Sequence, residues 1–336
     1  MTSREFAELI GVSQSTVSRA LNGSSSVCEK TKLYVQQKAQ EYGFVLNSQA
    51  RSLKTNRTQT IGILFPLYFG SLSSNLMFTY ISDHLHRELG SREYDCMIVY
   101  NQDAQQKVST LERVIRSGKV DGLINFRPQL LPQEIELIQS YKIPFVSLHS
   151  ALQENPNLHQ FMIDEEDAGF QIGQFFGNQP EDDCLYLAVE DEPPEESRRL
   201  QGFIKGLASM GKEFGSQNIL VAQRSPDSAS QVISNHADRF VNRKVNLFVY
   251  NDLMALGALN ALIMLGVQVP QQVQIISMDD IPLASWFTPK LSTMRSPVRR
   301  MVTDGCDLLI SMINGEQIAP QTVCYQSQMI LRDTTR

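Results

Sequence analysis

Apolar side chains recur every three or four residues along the N-terminal part of the chain, as they do on one face of a helix. Thr2 and Glu5 have the spacing of a capping box, in which the two residues satisfy each other's backbone amides. Apolar positions continue to Ile10, and Gly11 suits the left-handed turn that ends a helix. The pattern predicts a first helix over residues 2–10.

The next segment predicts a second helix with two unlike faces. Ser13 suits its N-cap, and Val17 and Ala20 have the spacing of a buried face within Gln14–Leu21. The opposite face carries hydrogen-bond donors and no acidic group: Gln14, Ser15, Ser18, Arg19 and Asn22. Two short helices joined by a tight turn form a helix-turn-helix, whose second helix enters the major groove of DNA. A plain helical bundle is the alternative, but it has no need of a whole face of donors.

A third helix is predicted over Glu29–Tyr42, where Val35 and Ala39 have helical spacing. Cys28 stands at its N-cap, and because a thiol is a weak acceptor we expect a poor cap. Residues 47–58 then form a polar, basic stretch. It is either a solvated linker or a segment that folds on DNA and inserts Leu53 into the minor groove.

The rest of the chain alternates short apolar runs with longer helical patterns. The predicted strands are Ile61–Phe65, Met97–Tyr100, Gly122–Phe126, Pro144–Leu148, Phe161–Ile163, Cys184–Val189, Ile219–Ala222, Leu247–Tyr250 and Ile275–Met278. Helices such as Val108–Arg116, Gly169–Phe176, Arg199–Met210 and Leu253–Leu265 lie between them. Continuous apolar strands that alternate with helices indicate an α/β fold with parallel sheets covered on both faces. Nine strands suit two doubly wound lobes better than one.

Polar residues stand where several predicted strands end. They are Asn125, Arg127, Asn251, Asp252, Asp279 and Asp280. In doubly wound folds, ligands bind outside the carboxyl ends of the strands. A single polar residue there marks only the start of a loop, whereas several together favour a shared binding cleft.

The charge is divided unevenly along the chain. The whole sequence has a net charge of −6, yet residues 1–58 hold eight Lys or Arg and four acids. A small basic head on an acidic body suggests that the head binds a polyanion, although chance surface charge is the alternative.

Other function classes find little support. The N-terminus lacks the apolar core of a secretory signal and no run is long enough for a membrane span, so we expect a cytosolic protein. The five cysteines are scattered without a CxxC pair, which indicates neither a disulfide framework nor a zinc site. No GxGxxG or GxSxG motif occurs, so no cofactor is predicted. An enzyme of the doubly wound class, or a small-molecule binder whose head does not read DNA, are the remaining alternatives.

Several runs resemble the LacI/GalR family of bacterial transcription regulators. In the head they are AELIGVSQSTVSRALNG at 7–23 and NSQARSL at 47–53. In the body they are IGILFP at 61–66, DGLI at 121–124, RLQGF at 199–203, NDLMALG at 251–257, MDD at 278–280 and PKLSTMRSP at 289–297. The resemblance implies four parts, namely a helix-turn-helix domain over 1–46, a hinge helix over 47–58, and two lobes. The lobes are 59–160 with 292–322 and 161–291 with 323–336, so the chain crosses near residues 161, 291 and 323.

The same resemblance implies binding residues and partners. It assigns DNA contact to Thr2, Ser13, Gln14, Ser15, Thr16, Ser18, Arg19, Asn22, Asn47, Ala50, Arg51 and Leu53. Effector contact is expected at Asn125, Arg127, Asp167, Arg199, Asn251, Asp279 and Trp286, with packing between lobes as the alternative for Trp286 and bracing of a turn for Asp252. The expected partners are near-palindromic operator DNA, a small effector such as a sugar, and a second copy of the chain. We expect a dimer, since the sequence carries no heptad segment at its end.

Overall fold

The computed structural model describes residues 1–21, 24, 26–44, 57–65, 76–99, 109–149, 157–180 and 183–336. The helices are α1 (Ser3–Leu9), α2 (Gln14–Leu21), α3 (Glu29–Glu41), α4 (Leu76–Gly90), α5 (Thr110–Arg116), α6 (Pro132–Ser140), α7 (Glu165–Gly177), α8 (Arg198–Ser209), α9 (Pro226–Asn235), α10 (Asp252–Met264) and α11 (Val298–Ile313). The strands are β1 (Thr60–Leu64), β2 (Asp95–Val99), β3 (Gly122–Asn125), β4 (Phe145–His149), β5 (His159–Ile163), β6 (Asp183–Val189), β7 (Ile219–Ala222), β8 (Val245–Val249), β9 (Val273–Asp279), β10 (Ser292–Arg295), β11 (Thr322–Tyr325) and β12 (Gln328–Ile330).

The three head helices pack around a small apolar core of their own. Phe6 of α1 is fully buried, and its ring stacks on Phe44 with centroids 4.1 Å apart. Val17 and Val35 bring α2 and α3 into the same core. The hydroxyl of Tyr34 on α3 donates to the carbonyl oxygen of Ile10 at 3.0 Å, which ties α3 to the end of α1.

Two doubly wound lobes follow the head, as the sequence predicts. The first lobe holds a fully parallel sheet in the order β11-β5-β4-β3-β1-β2. The second holds the order β12-β10-β9-β8-β6-β7, parallel except for the antiparallel pair β10 and β12. Each sheet is buried between helices, so the carboxyl ends of the parallel strands face one another across the space between lobes.

The chain crosses between the lobes three times, slightly later than expected. Strand pairing keeps β5 in the first sheet and β10 in the second, so the crossings fall at 164, at 296–297 and at 326–327. The expected positions 161 and 323 lie inside strands, and 291 lies directly before one. The expected positions came from the family resemblance, and the pairing of β5, β10 and β11 within their sheets moves each crossing a few residues later.

All nine predicted strands are present, with shifts of up to two residues at their ends, and three more accompany them. The additional strands β10, β11 and β12 are only three or four residues long. Two of them lie at sheet edges and are partly exposed, so they lack the continuous apolar run that revealed the others. Among the helices that the structure describes, none has the length and apolar character needed to cross a membrane.

Helices α7 and α8 touch through their backbones. Gly169 and Gly173 of α7 face Gly202 and Gly206 of α8. A Cβ atom at Gly202 would overlap the carbonyl oxygen of Glu166, so only glycine permits this approach. The close contact brings the first turns of the two helices together at the edge of the second lobe that faces the first.

Candidate DNA interface and interlobe cleft

Helix α2 presents the donor face that its sequence predicts. Val17 and Ala20 are fully buried against the head core, whereas Gln14, Ser15 and Arg19 are exposed. Arginine binds guanine O6 and N7 bidentately, and glutamine reads adenine in the same way. An exposed, non-acidic face on the second helix of a helix-turn-helix has the chemistry needed to read DNA bases.

Two hydroxyls assigned to DNA contact also cap helices. The Oγ of Ser13 accepts from the backbone amide of Thr16 at 3.1 Å and lies 2.8 Å from the hydroxyls of Ser15 and Thr16. Thr2 forms the predicted capping box with Glu5, with hydrogen bonds of 3.3 and 2.8 Å. Thr16 and Ser18 are half-buried on α2. These contacts show how the helix starts are held, and their contact with phosphate stays a prediction.

Cys28 makes no side-chain hydrogen bond to the backbone at the start of α3, in agreement with the expected poor cap. Its Sγ lies 3.1 Å from the hydroxyl of Thr31 instead. The other residues predicted to contact DNA, namely Asn22, Asn47, Ala50, Arg51 and Leu53, lie outside the described residues.

In the second lobe, Arg199 is the centre of a buried polar network. It lies in the first turn of α8 and is only 5% exposed. Its guanidinium donates to the carbonyl oxygen of Tyr250 at 2.6 Å and pairs with the carboxylate of Glu165, the first residue of α7. Burial alone would raise the pKa of Glu165, but the charges of Arg199 and of His149, at the end of β4, hold it below its usual value. The network therefore joins both lobes.

The ring of Tyr250 contacts two guanidinium groups. Arg199 lies 4.0 Å and Arg224 4.6 Å from its centroid. The phenol donates to Glu192 at 2.6 Å, and Arg224 pairs with Asp191 at 2.9 Å. The two cations already interact with the π system of this ring, which leaves less of it to stack on a ligand.

Asp279 ends β9 with a backbone φ of 115°, in the left-handed region that glycine usually fills. Burial raises the pKa of its carboxyl to about 7, against the opposing charges of Arg199 and Arg224. A carboxylate held in this strained position beside Arg199 suits a ligand that donates hydrogen bonds, such as a polyol.

Asp252 braces the turn that follows β9, as the alternative interpretation of the sequence holds. It is fully buried and accepts from Ser277 Oγ at 2.5 Å, Thr293 Oγ1 at 2.6 Å and the Ile281 amide at 2.8 Å. Burial, with the neighbouring charge of Asp279, raises the pKa of Asp252 well above its usual value.

Two predicted effector residues in the first lobe make polar contacts inside that lobe. Asn125 is fully buried, and its amide donates to Arg127 O at 2.8 Å and Ser147 Oγ at 3.1 Å. Arg127 is 7% exposed and forms a 3.0 Å ion pair with Glu134 of α6, which is 4% exposed. Both side chains brace their own lobe, and their contact with an effector stays a prediction.

Asp167 and Asn251 are also engaged locally. Asp167 accepts from Gln171 Nε2 at 2.6 Å, one turn further along α7. The Oδ1 of Asn251 accepts from the amide of Met254 at 2.9 Å and caps α10. Asn251 follows Tyr250 directly and so stays at the rim of the network, whereas Asp167 is engaged along its own helix.

Trp286 is 73% exposed, and the adjacent Phe287 is 46% exposed. This exposure contradicts packing of Trp286 between the lobes. It also sets Trp286 apart from the buried network around Arg199. Exposed neighbouring aromatic side chains are more typical of a protein contact surface than of a buried ligand site.

A cavity of about 450 Å³ lies at the second crossing between the lobes. Tyr80 of α4 and Asp279 line it together with Arg295 and Arg299. Asp280, also in its wall, accepts from Arg295 Nε at 2.5 Å and from Arg332 at 2.6 Å. Within the described ranges, no group of three or more His, Cys, Asp or Glu side chains is placed to hold a metal ion.

Sequence reasoning missed three residues of the polar network around Arg199. It pointed to Arg199 and Asp279, but not to Glu165, Tyr250 or Arg224. Tyr250 has a usable signal, because it stands at the end of a predicted strand. Glu165 and Arg224 have none, since their partners lie 34 and 33 residues away along the chain.

Known proteins resemble the chain over its whole length. Residues 2–47 match the profile of bacterial regulatory proteins of the lacI family, and residues 183–335 match that of the periplasmic binding protein-like domain. The HTH-type transcriptional regulator AscG of Escherichia coli (strain K12) is 28% identical over 336 residues, covering 99% of this chain and 98% of AscG.

Solved structures share the fold. The lac repressor dimer bound to operator and the anti-inducer ONPF has a TM-score of 0.78 at 21% identity, with 100% of this chain and 99% of that chain covered. The complex of the transcriptional regulator CelR with cellobiose has a TM-score of 0.69 at 23% identity, with 99% of each chain covered.

A helix-turn-helix head followed by a two-lobed core of the periplasmic-binding-protein kind defines a DNA-binding regulator. The family resemblance found in the sequence is confirmed. The chain belongs to the LacI family of bacterial regulatory proteins.

Proposed function

We propose that this protein is a sequence-specific transcriptional repressor whose operator affinity depends on a small effector bound between the lobes. The observation that carries the proposal is the division of α2 into a buried face, Val17 and Ala20, and an exposed donor face, Gln14, Ser15 and Arg19. The exposed face supplies base contacts, and the basic side chains of the head neutralise phosphates.

A homodimer fits this role, because two recognition helices one helical turn apart read a near-palindromic operator. The similar lac repressor was solved as a dimer on its operator. The exposed pair Trp286 and Phe287 supplies an apolar surface suited to a second subunit.

The effector that suits the cleft is a carbohydrate or a related polyol. Arg199 provides a donor and Asp279 an acceptor, their charges interact, and the similar CelR binds cellobiose. We keep Arg199 and Asp279 as the ligand contacts and Asn251 as a rim residue. We further infer that the chain acts by binding alone, without catalysis, in the bacterial cytoplasm where its DNA target lies.

The first experiment selects an operator from a random-sequence DNA pool with the full chain. Arg19→Ala should weaken operator binding by about 1–3 kcal/mol and leave binding to random DNA nearly unchanged, since a bidentate base contact is lost. Arg4→Ala is the control, because Arg4 is exposed on α1 and paired with Glu8. Its effect should be equal on both DNAs. A wild-type chain that selects no sequence would contradict the proposal.

The effector is sought by thermal shift of the full chain with a panel of neutral sugars, sugar phosphates and nucleosides. A ligand at 100 times its Kd stabilises the folded state by about 2.7 kcal/mol, a shift of a few degrees. Arg199→Ala should abolish the shift. An unchanged shift in that variant would exclude Arg199 from the binding site.

A further inference from the structure

Arg57 binds the end of a helix in the first lobe. It is the first described residue after the segment 45–56, and its guanidinium reaches the C-terminus of α11. One nitrogen donates to Asn314 Oδ1 at 2.9 Å and another to the carbonyl oxygen of Ile313 at 2.8 Å. Asn314 is the C-cap of α11, where a cation stabilises the free carbonyl groups and the helix dipole.

The next two residues are fixed to the same lobe. The amide and hydroxyl of Thr58 donate to Asp121 Oδ1 at 2.7 and 2.9 Å, and the amide of Gln59 donates to Asp121 Oδ2 at 2.8 Å. The chain that links the DNA-binding head to β1 is therefore held at three successive residues. Among residues 57–59, Arg57 is the one that hydrogen-bonds to the end of α11.

The opposite end of α11 lies at the cleft. The helix begins directly after the crossing at Ser296–Pro297. Arg295, the last residue of β10 before that crossing, pairs with Asp280 within the second lobe. Asp280 follows Asp279, the proposed effector contact. Sixteen helical residues span about 24 Å, so α11 runs from the cleft to Arg57.

Helix α11 is packed tightly along this path. Val302, Cys306 and Leu309 are fully buried in the core of the first lobe. Gly305 lies against the end of the Leu148 side chain of β4, which would have to rotate to admit a Cβ atom. A close-packed helix shifts as a unit and does not deform locally, so a displacement at one end reaches the other.

We propose that Arg57 is a positioning residue that couples the cleft to the DNA-binding head through α11, within a single subunit. The proposal rests on the repressor function proposed above and adds the route by which the effector acts. When the second lobe moves, Arg295, which Asp280 holds to that lobe, moves with it, and the crossing at 296–297 transmits this displacement to the start of α11. The C-terminus of α11 then moves the guanidinium of Arg57, and with it the chain entering the head.

Hydrogen exchange on the full chain tests the coupling without DNA or effector. Asp280→Asn weakens the ion pairs with Arg295 and Arg332 that hold the end of β10 in the second lobe, just before the crossing into α11. It should raise amide exchange at Thr58 and Gln59 several-fold, but not at Leu123, whose amide donates to Pro144 O at 2.8 Å in the same lobe. Arg57→Ala should remove this response to Asp280→Asn. An equal response at Thr58, Gln59 and Leu123, or a response that persists in Arg57→Ala, would overturn the proposal.

The second measurement is affinity for the selected operator. Arg57→Ala should weaken it about tenfold, the usual cost of losing hydrogen bonds from a charged group. Asp280→Asn should change it in the wild-type background, but by less than about twofold when Arg57 is absent. Arg57→Lys keeps the charge without the two-pronged contact and should restore part of the affinity. If the fold-change in operator affinity of the double variant equals the product of the fold-changes of Asp280→Asn and Arg57→Ala, the two residues are not coupled and the proposal is wrong.

Arg116→Ala is the matched control, because Arg116 is an exposed arginine of the same lobe paired with Glu112 on α5. It should leave exchange at Thr58 and operator affinity unchanged. If the wild type selects no operator, the repressor function fails, while the exchange measurement still decides whether Arg57 couples the two ends of α11.

Discussion

The two lobes have nearly the same strand order but bond their polar side chains differently. In the first lobe, Asn125 and Arg127 are buried and bonded close to the end of β3. In the second, Asp279 ends β9, and Arg199 in the first turn of α8 reaches Glu165 at the crossing. Similar topology therefore supports a locally braced lobe and a lobe whose polar network extends to the crossing.

The difference follows from where the partners lie along the chain. Arg127 pairs with a residue seven positions away, and Asn125 bonds a residue two positions away. Arg199 instead binds residues 34 and 51 positions away. Hydrogen-bond partners a few residues away satisfy a polar side chain within its own loop. Partners far along the chain reach it only when the lobe has folded.

The largest expected effect concerns the helix pair of the second lobe. Gly202→Ala places a Cβ against the carbonyl oxygen of Glu166, and neither backbone can move without separating α7 from α8. We expect a loss of about 4 kcal/mol in stability, measured by chemical denaturation. Gly305→Ala in the first lobe is the control. Its Cβ would meet only the end of the Leu148 side chain, which can rotate, so we expect about 1 kcal/mol. Equal losses would contradict the backbone contact.

The buried arginines come next. Arg127→Ala leaves Glu134 charged and only 5% exposed, so we expect a loss of about 3 kcal/mol. Arg199→Ala should cost about half as much, because the Glu165 side chain is 22% exposed and keeps contact with water. Denaturation midpoints measure both. If Arg199→Ala loses more stability than Arg127→Ala, Arg199 is the stronger structural brace and the contrast between the two lobes is wrong.

The third effect depends on pH. The pKa of Asp279 is about 7 in the folded chain, above the value of about 3.9 that an unfolded Asp has. A raised pKa favours the folded state at low pH, so this contribution is lost as the pH rises towards 7.

Asp279→Asn removes the titration, so wild type should lose stability relative to this variant between pH 4 and pH 7. Melting temperatures across this range measure the difference. If the difference in melting temperature between wild type and Asp279→Asn stays constant from pH 4 to pH 7, burial does not raise the pKa of Asp279 in the folded chain. The neighbouring charges of Arg199, Arg224, Glu165 and Asp252 are common to both proteins.

The smallest effect lies outside both lobes. Cys28→Ser restores a side-chain acceptor at the start of α3 and should stabilise the head by about 0.5–1 kcal/mol. Amide exchange in α3 should slow, while exchange in both lobes stays the same. Faster exchange in α3 would mean that the contact of Cys28 with Thr31 already serves as the cap.

The sequence predicts the fold closely because most of it rests on local pattern. Helix α2 has the predicted bounds, and Ile219–Ala222 is a strand without any shift. The crossings between the lobes lie a few residues later than expected. A polar strand such as Ser292–Arg295, which has no apolar run to mark it, continues past the expected position. In the site, Arg199 and Asp279 came from family motifs. Glu165, which no motif marks, became visible only when α7 and α8 packed together.

The three crossings also bear on how the chain matures during synthesis. Nearly all of the second lobe lies in one stretch, 164–295, whereas the first lobe needs α11 and β11 from beyond residue 297. A nascent chain thus holds a first sheet without α11 and β11 until residues 298–325 have left the ribosome. The partner of Arg57, at residues 313 and 314, emerges long after Arg57 itself. The chain therefore acquires the contact between Arg57 and α11 only after nearly all of the second lobe has been synthesised.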